Sequence, residues 1–297
     1  MTVPYLTVET LSVALAVKQG DRLLRSVSLA VDPGEVHALV GESGAGKSMV
    51  ARAIFGILPK AVTVVEGKVT VADQDLARLP ETVRRLFIGK RAAFIPQDPL
   101  TALNPSKRIE RQICDRLIHI LGMSKAEARR RAMALLAEVK ITDPERVMRL
   151  YPHELSGGMR QRVLIASAFS AEPRLIVADE PTTALDVTVQ KQILALIADM
   201  QVRHGTALLF ITHNLGVVAK LCQRATVLYA GKVVEQAPVA ELFARPVHAY
   251  TRALMAATPR YDRPEGSLKP ASPELIAALA REVAETDAIW NRERQHG

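Results

Sequence analysis

The segment from residue 41 to residue 48 has the residue types and spacing of a binding site for a polyphosphate. It matches the pattern G-x-x-x-x-G-K-[ST] without a mismatch. The glycines let the backbone curl so that its N–H groups converge on phosphate oxygens, and the helix expected after them points the positive end of its dipole at the same place. We expect Lys47 to reach the terminal phosphates and the Ser48 hydroxyl to bind Mg²⁺. The predicted phosphate-binding residues are Gly41, Glu42, Ser43, Gly44, Ala45, Gly46, Lys47 and Ser48.

A pair of carboxylates stands at the end of a short apolar run. Residues 175–178 read Leu-Ile-Val-Ala and are followed at once by Asp179 and Glu180. A buried parallel strand that ends in two acids delivers them to the sheet edge where nucleotides bind. We expect Asp179 beside the Mg²⁺ shell and Glu180 where it can polarise a water molecule. Together with the phosphate loop, the pair predicts a nucleoside triphosphatase.

A second anion site of different chemistry is predicted at Ser156, Gly157 and Gly158. These residues precede a run of helical periodicity, so Ser156 is expected to cap a helix whose first N–H groups face an anion. The segment has no lysine of its own. One chain with two such sites suggests that two copies complete each other's nucleotide sites.

The elements that must position these residues alternate along the chain. Short apolar runs bounded by Gly and Pro predict strands at residues 6–8, 26–31, 35–40, 67–71, 92–96, 175–178, 207–212, 225–229 and 232–235. Helical periodicity predicts helices at residues 48–58, twice within 109–140, and at 156–171, 187–203 and 215–223, with an amphipathic tail at 274–290. Strands that alternate with helices predict an α/β fold with a largely parallel sheet.

Composition excludes several classes of protein. The 297 residues are 48% hydrophobic and 24% charged, which is typical of a folded chain. No apolar run reaches the roughly 18 residues of a membrane-spanning helix, and residues 1–19 lack the pattern of a secretory signal. The only cysteines are Cys114 and Cys222, which favours a reducing compartment and argues against a disulfide framework or a cysteine-bound metal.

The net charge of +8 is concentrated in one segment. Residues 105–149 contain 11 Lys or Arg and 6 Asp or Glu, a local excess of +5. The segment is either a solvated helical face or a surface for a protein, lipid or nucleic acid partner. Nucleic acid is disfavoured because no aromatic side chains are interleaved with these cations.

In combination, these motifs resemble those of the ATP-binding cassette (ABC) ATPases over residues 6–259. Residues 155–162, Leu-Ser-Gly-Gly-Met-Arg-Gln-Arg, resemble the signature motif. Gln97, within Pro-Gln-Asp-Pro, resembles the Q-loop glutamine that contacts Mg²⁺ or water, and His213 resembles the switch histidine that faces the γ-phosphate. Residues 183–186, Thr-Ala-Leu-Asp, resemble the D-loop, which places Asp186 at the dimer seam.

The resemblance implies an α/β fold with a P-loop NTPase core. This core has a mostly parallel, RecA-like sheet, an N-terminal antiparallel β subdomain and an α-helical signature subdomain at about residues 105–170. It implies ATP and Mg²⁺ as cofactors, with Ser48, Gln97 and Asp179 around the metal and Glu180, His213 and Gln97 in catalysis. Residues 1–258 are expected to form the ATPase domain and residues 259–297 a C-terminal extension.

Narrower features resemble the importer ATPases for dipeptides, oligopeptides and nickel. They lie at residues 41–44, 97–105, 151–159 and 248–254. The resemblance implies a subunit that energises uptake of peptides or a related small solute from the cytoplasmic face of the membrane. Its implied partners are two permease subunits, a second copy or a related ATPase, and indirectly a solute-binding protein. In that fold, residues 105–149 flank the groove where a permease docks. The alternative is a non-transport ABC ATPase of a soluble complex, such as phosphonate-degrading machinery.

Two features depart from the pattern of these relatives. An aromatic ring is expected ahead of the phosphate loop to stack on adenine. The one aromatic residue among residues 1–54 is Tyr5, which lies before the first predicted strand and thus too early in the chain for this role. Near residues 15–18, where that ring is expected, the side chains are apolar or cationic. Several peptide-importer relatives also carry cysteines for an iron–sulfur cluster in the C-terminal extension. Residues 259–297 contain no cysteine, so we predict that the chain holds no such cluster.

Overall fold

A computed structural model describes residues 3–16, 21–183, 185–257 and 271–295. The strands are β1 Leu6–Leu15, β2 Arg22–Val31, β3 Val36–Val40, β4 Val62–Val71, β5 Gln74–Asp75, β6 Ala92–Ile95, β7 Leu175–Asp179, β8 Ala207–Thr212, β9 Arg224–Tyr229 and β10 Lys232–Pro238. The helices are α1 Lys47–Phe55, α2 Glu81–Arg91, α3 Pro99–Ala102, α4 Ile109–Leu121, α5 Lys125–Glu138, α6 Pro144–Arg149, α7 Gly157–Phe169, α8 Val187–His204, α9 Leu215–Leu221, α10 Val239–Ala244, α11 Ala249–Ala256 and α12 Pro273–Gln295.

The chain forms two compact units, which we describe separately. The first unit consists of Met1–Tyr5, Asp32–Glu35 and Arg78–Leu209. The second unit consists of Leu6–Val31, Val36–Ala77 and Phe210–Gly297. Each unit is therefore assembled from segments that are distant in sequence.

The second unit contains an antiparallel sheet with the strand order β2-β1-β4-β5. In the central strand β1, Leu6 lies opposite Val31 on one side and Val71 on the other, and all three side chains are buried. β-branched and aliphatic residues suit such a pleated, half-buried surface, which explains why this part of the sequence forms strands. The same unit also contains β3, which pairs in parallel with β9, while β9 pairs antiparallel with β10.

The first unit joins a parallel strand pair to a group of helices. β6 and β7 are parallel, and Ile95 lies opposite Ala178. Helices α4, α5 and α7 pack on one another through buried aliphatic side chains such as Ile113, Leu117 and Leu135. These side chains recur at helical spacing, so each helix can bury one apolar stripe.

A partly buried arginine connects four elements of the first unit. The guanidinium of Arg116 on α4 donates hydrogen bonds to the carbonyl oxygens of Gly89 on α2, Ala92 on β6 and Ser167 on α7, over 3.1–3.3 Å. Burial lowers the pKa of Arg116 to about 10, because desolvation disfavours the charged form. The guanidinium nevertheless donates to three carbonyl groups on three different elements, and so it links α2, β6 and α7 to α4.

Replacing Arg116 by Met is expected to lower the free energy of unfolding by about 2 kcal/mol, because buried carbonyls lose their donor while the aliphatic volume is largely kept. Thermal and urea unfolding of the purified chain measure this. The matched control is Arg111→Met on the same helix, where the exposed ion pair with Asp115 is expected to contribute less than about 1 kcal/mol. If the two substitutions lowered the free energy of unfolding equally, the Arg116 hydrogen bonds would not be what stabilises this unit.

The predicted α/β organisation, with parallel strand pairs and a separate antiparallel sheet, is confirmed. Five helices were not predicted: α2, α3, α6, α10 and α11. Helix α2 has apolar residues at helical spacing, Val83, Leu86 and Phe87, but it buries only Ile88, so this spacing does not mark a core-facing stripe. The predicted helix at 48–58 begins at Lys47 and ends at Phe55, where Gly56 adopts a left-handed conformation with φ 65°.

The expected boundary between residues 258 and 259 lies outside the described residues and stays a prediction. The amphipathic tail forms α12, which is longer than the predicted segment. Across the residues that the structure describes, none of the helices combines the length and apolar character that a membrane crossing requires.

Candidate functional site

The phosphate loop lies in the second unit, between the buried strand β3 and helix α1. All five residues of β3 are buried, as expected for a strand covered on both faces. Gly46 caps α1 with φ 100°, a conformation that favours glycine, and a Cβ there would lie 2.8 Å from Leu24 Cδ2. A Cβ on Gly41 would lie 2.2 Å from the Leu228 carbonyl oxygen. The tight backbone that the motif predicts therefore forms, and side chains are excluded from it at both ends.

Lys47 is held inside this loop. Its side chain is only 5% exposed, and Nζ donates hydrogen bonds to the carbonyl oxygens of Gly41 and Glu42, each at 2.8 Å. Ser48 follows in the first turn of α1. The ammonium charge is thus fixed at the loop, at the start of a helix whose dipole adds positive potential, which is an arrangement suited to phosphate oxygens.

Tyr250 also contacts the loop, and sequence reasoning did not assign it this contact. Its hydroxyl accepts a hydrogen bond from the Glu42 N–H at 3.2 Å, and its ring lies 4.7 Å from that of Tyr229. Burial raises the pKa of Tyr250 to about 12, so the hydroxyl stays protonated at neutral pH. The only sequence signal was the segment 248–254, which resembled the peptide-importer ATPases without indicating a contact.

The carboxylate pair lies in the first unit, at the end of β7. The strand is buried along its whole length, and Asp179 is 5% exposed. Glu180 follows with φ 45°, a left-handed conformation that is strained for a residue other than glycine and that is common at functional sites. Its Oε2 accepts hydrogen bonds from Gln97 Nε2 at 3.3 Å and from Thr183 Oγ1 at 2.8 Å.

The pairing of Gln97 with Glu180 follows from the register of two strands. β6 and β7 run in parallel, so their carboxyl ends meet at one edge of the sheet. Gln97 lies two residues beyond β6, and Glu180 lies immediately after β7. Two residues that were predicted independently as catalytic are thereby brought into hydrogen-bonding contact.

The signature residues form the start of α7 in the same unit. Ser156 is the N-cap, and its Oγ accepts a hydrogen bond from Met159 N at 3.3 Å. A Cβ on Gly158 would lie 3.1 Å from Val189 Cγ1 on α8. Asp186 caps α8 by accepting from Val189 N at 2.9 Å, so the signature segment and Asp186 share a neighbour. Ala184 lies outside the described residues.

His213 belongs to the second unit and follows β8. It is exposed, and Asn214 next to it caps α9. Gly41, Gln97, Glu180 and His213 thus each follow the carboxyl end of a strand within their own unit, which is where ligands bind in folds of this class. The position expected for an adenine contact is described only as far as Ala16.

The donor set predicted for Mg²⁺ fits that ion chemically. Ser48, Gln97 and Asp179 offer a hydroxyl, an amide and a carboxylate oxygen, all of them hard donors. Mg²⁺ is usually held by one or two carboxylates together with substrate phosphates and water. Asp179 would supply the carboxylate, and it lies at the end of a buried strand, where the backbone limits its movement.

Comparison with known proteins identifies the family of this chain. Residues 24–183 match the ABC transporter family, and residues 234–281 match the family described as the C-terminal region of oligopeptide/dipeptide transporters. A protein named "Probable peptide ABC transporter ATP-binding protein" from Sinorhizobium fredii is 50% identical over 260 residues, which cover 87% of this chain and 77% of that protein. One named "Probable D,D-dipeptide transport ATP-binding protein" from Escherichia coli is 45% identical over 281 residues, covering 94% and 85%.

Solved structures show the same fold. A dimeric ATP-binding cassette in a post-hydrolysis state, bound to ADP and Pi, superposes with a TM-score of 0.69 at 26% identity. The match covers 79% of this chain and 98% of that one. The predicted P-loop NTPase fold and the predicted family are confirmed: this chain belongs to the ABC transporter family of ATP-binding proteins.

Proposed function

We propose that this chain is the ATP-binding and ATP-hydrolysing subunit of an ABC importer for peptides or a related small solute. The observation that carries the proposal is the contact of Gln97 with Glu180 beside the buried Asp179, since it assembles catalytic groups of a triphosphatase. The match of residues 234–281 to the oligopeptide/dipeptide transporter region favours an importer over a non-transport ABC ATPase of a soluble complex.

We assign each residue a distinct role in hydrolysis from its chemistry and its position within its own unit. Lys47 and the N–H groups of the loop bind the phosphates, and Ser48, Gln97 and Asp179 hold Mg²⁺. When bound, this ion neutralises charge on the β- and γ-phosphates. Glu180 orients or deprotonates the attacking water, with its Oε2 positioned by Gln97 and Thr183. His213 stabilises the γ-phosphate.

The signature segment acts in a dimer in this proposal. Ser156, Gly157 and Gly158 of one protomer cover the ATP that is bound at the phosphate loop of the other, and Asp186 lies at the seam. The open N–H groups at the start of α7 suit the γ-phosphate as a ligand. A dimeric cassette among the similar structures supports this arrangement, which a second copy or a related ATPase completes.

Two permease subunits are the partners in the membrane, and they place the chain at its cytoplasmic face. A periplasmic or surface solute-binding protein is an indirect partner. Five cations of residues 105–149 form ion pairs within the first unit: Lys107, Arg111, Arg129, Arg131 and Arg149. Five others are exposed and are the proposed permease contacts: Arg108, Lys125, Arg130, Lys140 and Arg146. We propose no role in nucleic acid binding.

Co-expression with the permease genes encoded nearest to it tests the proposal. We expect the chain to co-purify with two permease subunits and, in lipid nanodiscs, to hydrolyse ATP faster when a peptide-loaded binding protein is added. The unloaded binding protein is the control. Co-purification with soluble enzymes instead, together with hydrolysis that no peptide changes, would favour the non-transport alternative.

A further inference from the structure

We propose that the described C-terminal residues, 239–257 and 271–295, position the phosphate loop. Tyr250 acts at the start of the loop, and Asp287 acts on its later part through Arg25. The inference rests on the proposed function, because it assumes that the loop binds ATP. Every contact that carries it lies within the second unit.

Tyr250 holds the start of the loop. Its hydroxyl accepts the Glu42 N–H at 3.2 Å, while the Glu42 carbonyl accepts from Lys47 Nζ at 2.8 Å. Both backbone groups of Glu42 are therefore bonded, one to the C-terminal part and one to the phosphate-binding lysine. The Tyr250 side chain is 1% exposed, so water cannot readily replace it as the partner of this N–H.

Tyr250 is itself held in place from β10. A carboxylate oxygen of Glu235 accepts from Val247 N at 2.8 Å, and the other accepts from His248 N at 2.9 Å. These bonds fix the chain just before α11, where Tyr250 is the second residue. The position of the hydroxyl is consequently determined by the attachment of this segment to β10.

The second route to the loop begins on α12. Asp287 binds Arg25 through two bonds, from Nε at 2.9 Å and from Nη2 at 2.6 Å, which is the bidentate geometry of strong Arg–carboxylate pairs. The remaining terminal nitrogen of Arg25 donates to the Ala230 carbonyl at 2.6 Å. Asp287 also accepts from Arg22 Nε at 2.8 Å, so α12 engages two arginines of β2.

Ala230 and Gly231 form the turn between β9 and β10, and Arg25 binds this turn through the Ala230 carbonyl. The same turn is bonded directly to the phosphate loop. Gly231 N donates to the Ala45 carbonyl at 2.8 Å, and Arg25 N donates to the Gly231 carbonyl at 2.7 Å. Gly231 has φ 77°, and a Cβ there would lie 2.2 Å from the Leu23 carbonyl oxygen. The turn fits tightly between β2 and the loop, so Asp287 reaches Ala45 through Arg25 and this turn.

Positioning of this kind affects nucleotide binding rather than the chemical step. A loop whose N–H groups already converge binds phosphate more tightly, because less conformational entropy is lost on binding. Once ATP is bound, the phosphates themselves order the loop. Loss of one bond is therefore expected to raise the Kd and KM for ATP by about 3-fold to 10-fold, with kcat at saturating ATP unchanged.

The experiment compares two test variants with two matched controls in the purified full chain. Tyr250→Phe removes the hydroxyl that binds Glu42 and keeps the ring, while Tyr229→Phe removes a hydroxyl from the neighbouring ring. Asp287→Asn weakens the link to Arg25. Trp290→Phe breaks a different α12 contact, the 2.8 Å bond to Glu66 on β4, and keeps an aromatic ring beneath Arg22. The measurements are ATP Kd, KM and kcat, and hydrogen exchange of the loop amides without nucleotide.

We expect both test variants to raise Kd and KM, and to speed hydrogen exchange at residues 41–47, while both controls stay within about twofold of the parent. The double variant is expected to multiply the two increases, since the routes reach different ends of the loop. If the parent binds ATP and the test variants bind it equally well, or if the controls weaken binding as much, the inference is wrong. A parent that does not bind ATP would refute the proposed function itself.

Discussion

Replacement of Glu180 by Gln is expected to lower steady-state ATP hydrolysis by about 100-fold to 10,000-fold, the range for loss of a general base. Glu180 lies directly after β7, and its Oε2 is held by Gln97 and Thr183. The Gln amide has nearly the same shape, and its oxygen can accept both bonds, so the local structure is kept. It cannot accept a proton from the attacking water, so the chemical step is lost.

The same variant is expected to bind ATP with unchanged affinity and to accumulate as the ATP-bound dimer. Phosphate release measures turnover, fluorescent nucleotide titration measures affinity, and size-exclusion chromatography with ATP measures dimerisation. Glu172→Gln in the same unit is the matched control, because that side chain is 68% exposed and pairs with Arg131. Turnover of Glu180→Gln within about threefold of the parent would refute the role assigned to Glu180.

Replacement of Lys47 by Ala is expected to weaken ATP binding by about 10-fold to 100-fold, as expected for loss of a bond between charged groups. The ammonium is 5% exposed and already lies at the loop, bonded to the carbonyls of Gly41 and Glu42. Its charge therefore requires little rearrangement to meet the phosphates. Alanine removes this charge and also removes the bonds that Nζ donates to the two carbonyls.

Arg52→Ala is the matched control for Lys47→Ala. Arg52 lies on the same helix, α1, and carries the same charge, but its side chain is exposed. Isothermal titration of both variants with ATP, together with their melting temperatures, separates loss of binding from loss of folding. Undiminished affinity in Lys47→Ala would contradict the phosphate-loop assignment. If Arg52→Ala weakened ATP binding as much as Lys47→Ala, the effect of Lys47 would be explained by general electrostatic attraction alone.

Features carried by neighbouring residues could be predicted from the sequence. The succession of β3, phosphate loop and α1 follows from an apolar run, a glycine pattern and helical periodicity within about 20 residues. The acids after β7 follow from a buried run that ends in Asp179 and Glu180. The Ser156 cap of α7 follows from one residue type at one position. Each signal is local, because periodicity and capping depend on residues a few positions apart.

Helices α2 and α6 escaped prediction for a physical reason. Helix α2 buries only Ile88 and leaves Val83 and Leu86 about half exposed, so its helical form is stabilised by its place in the unit rather than by a buried apolar stripe. Helix α6 has six residues, too few for periodicity to appear, although Asp143 caps it. Tertiary packing overrides weak local preference in such segments.

The sequence by itself determined the fold class, the family and the residue types of the nucleotide site. Only the tertiary structure decided which distant residues meet. Strand register joins Gln97 to Glu180 across 83 positions, and packing joins Tyr250 to Glu42 across 208. Arg25 and Asp287 meet across 262 positions. Such contacts depend on how complete elements pair and pack, and no short-range pattern of residues encodes that geometry.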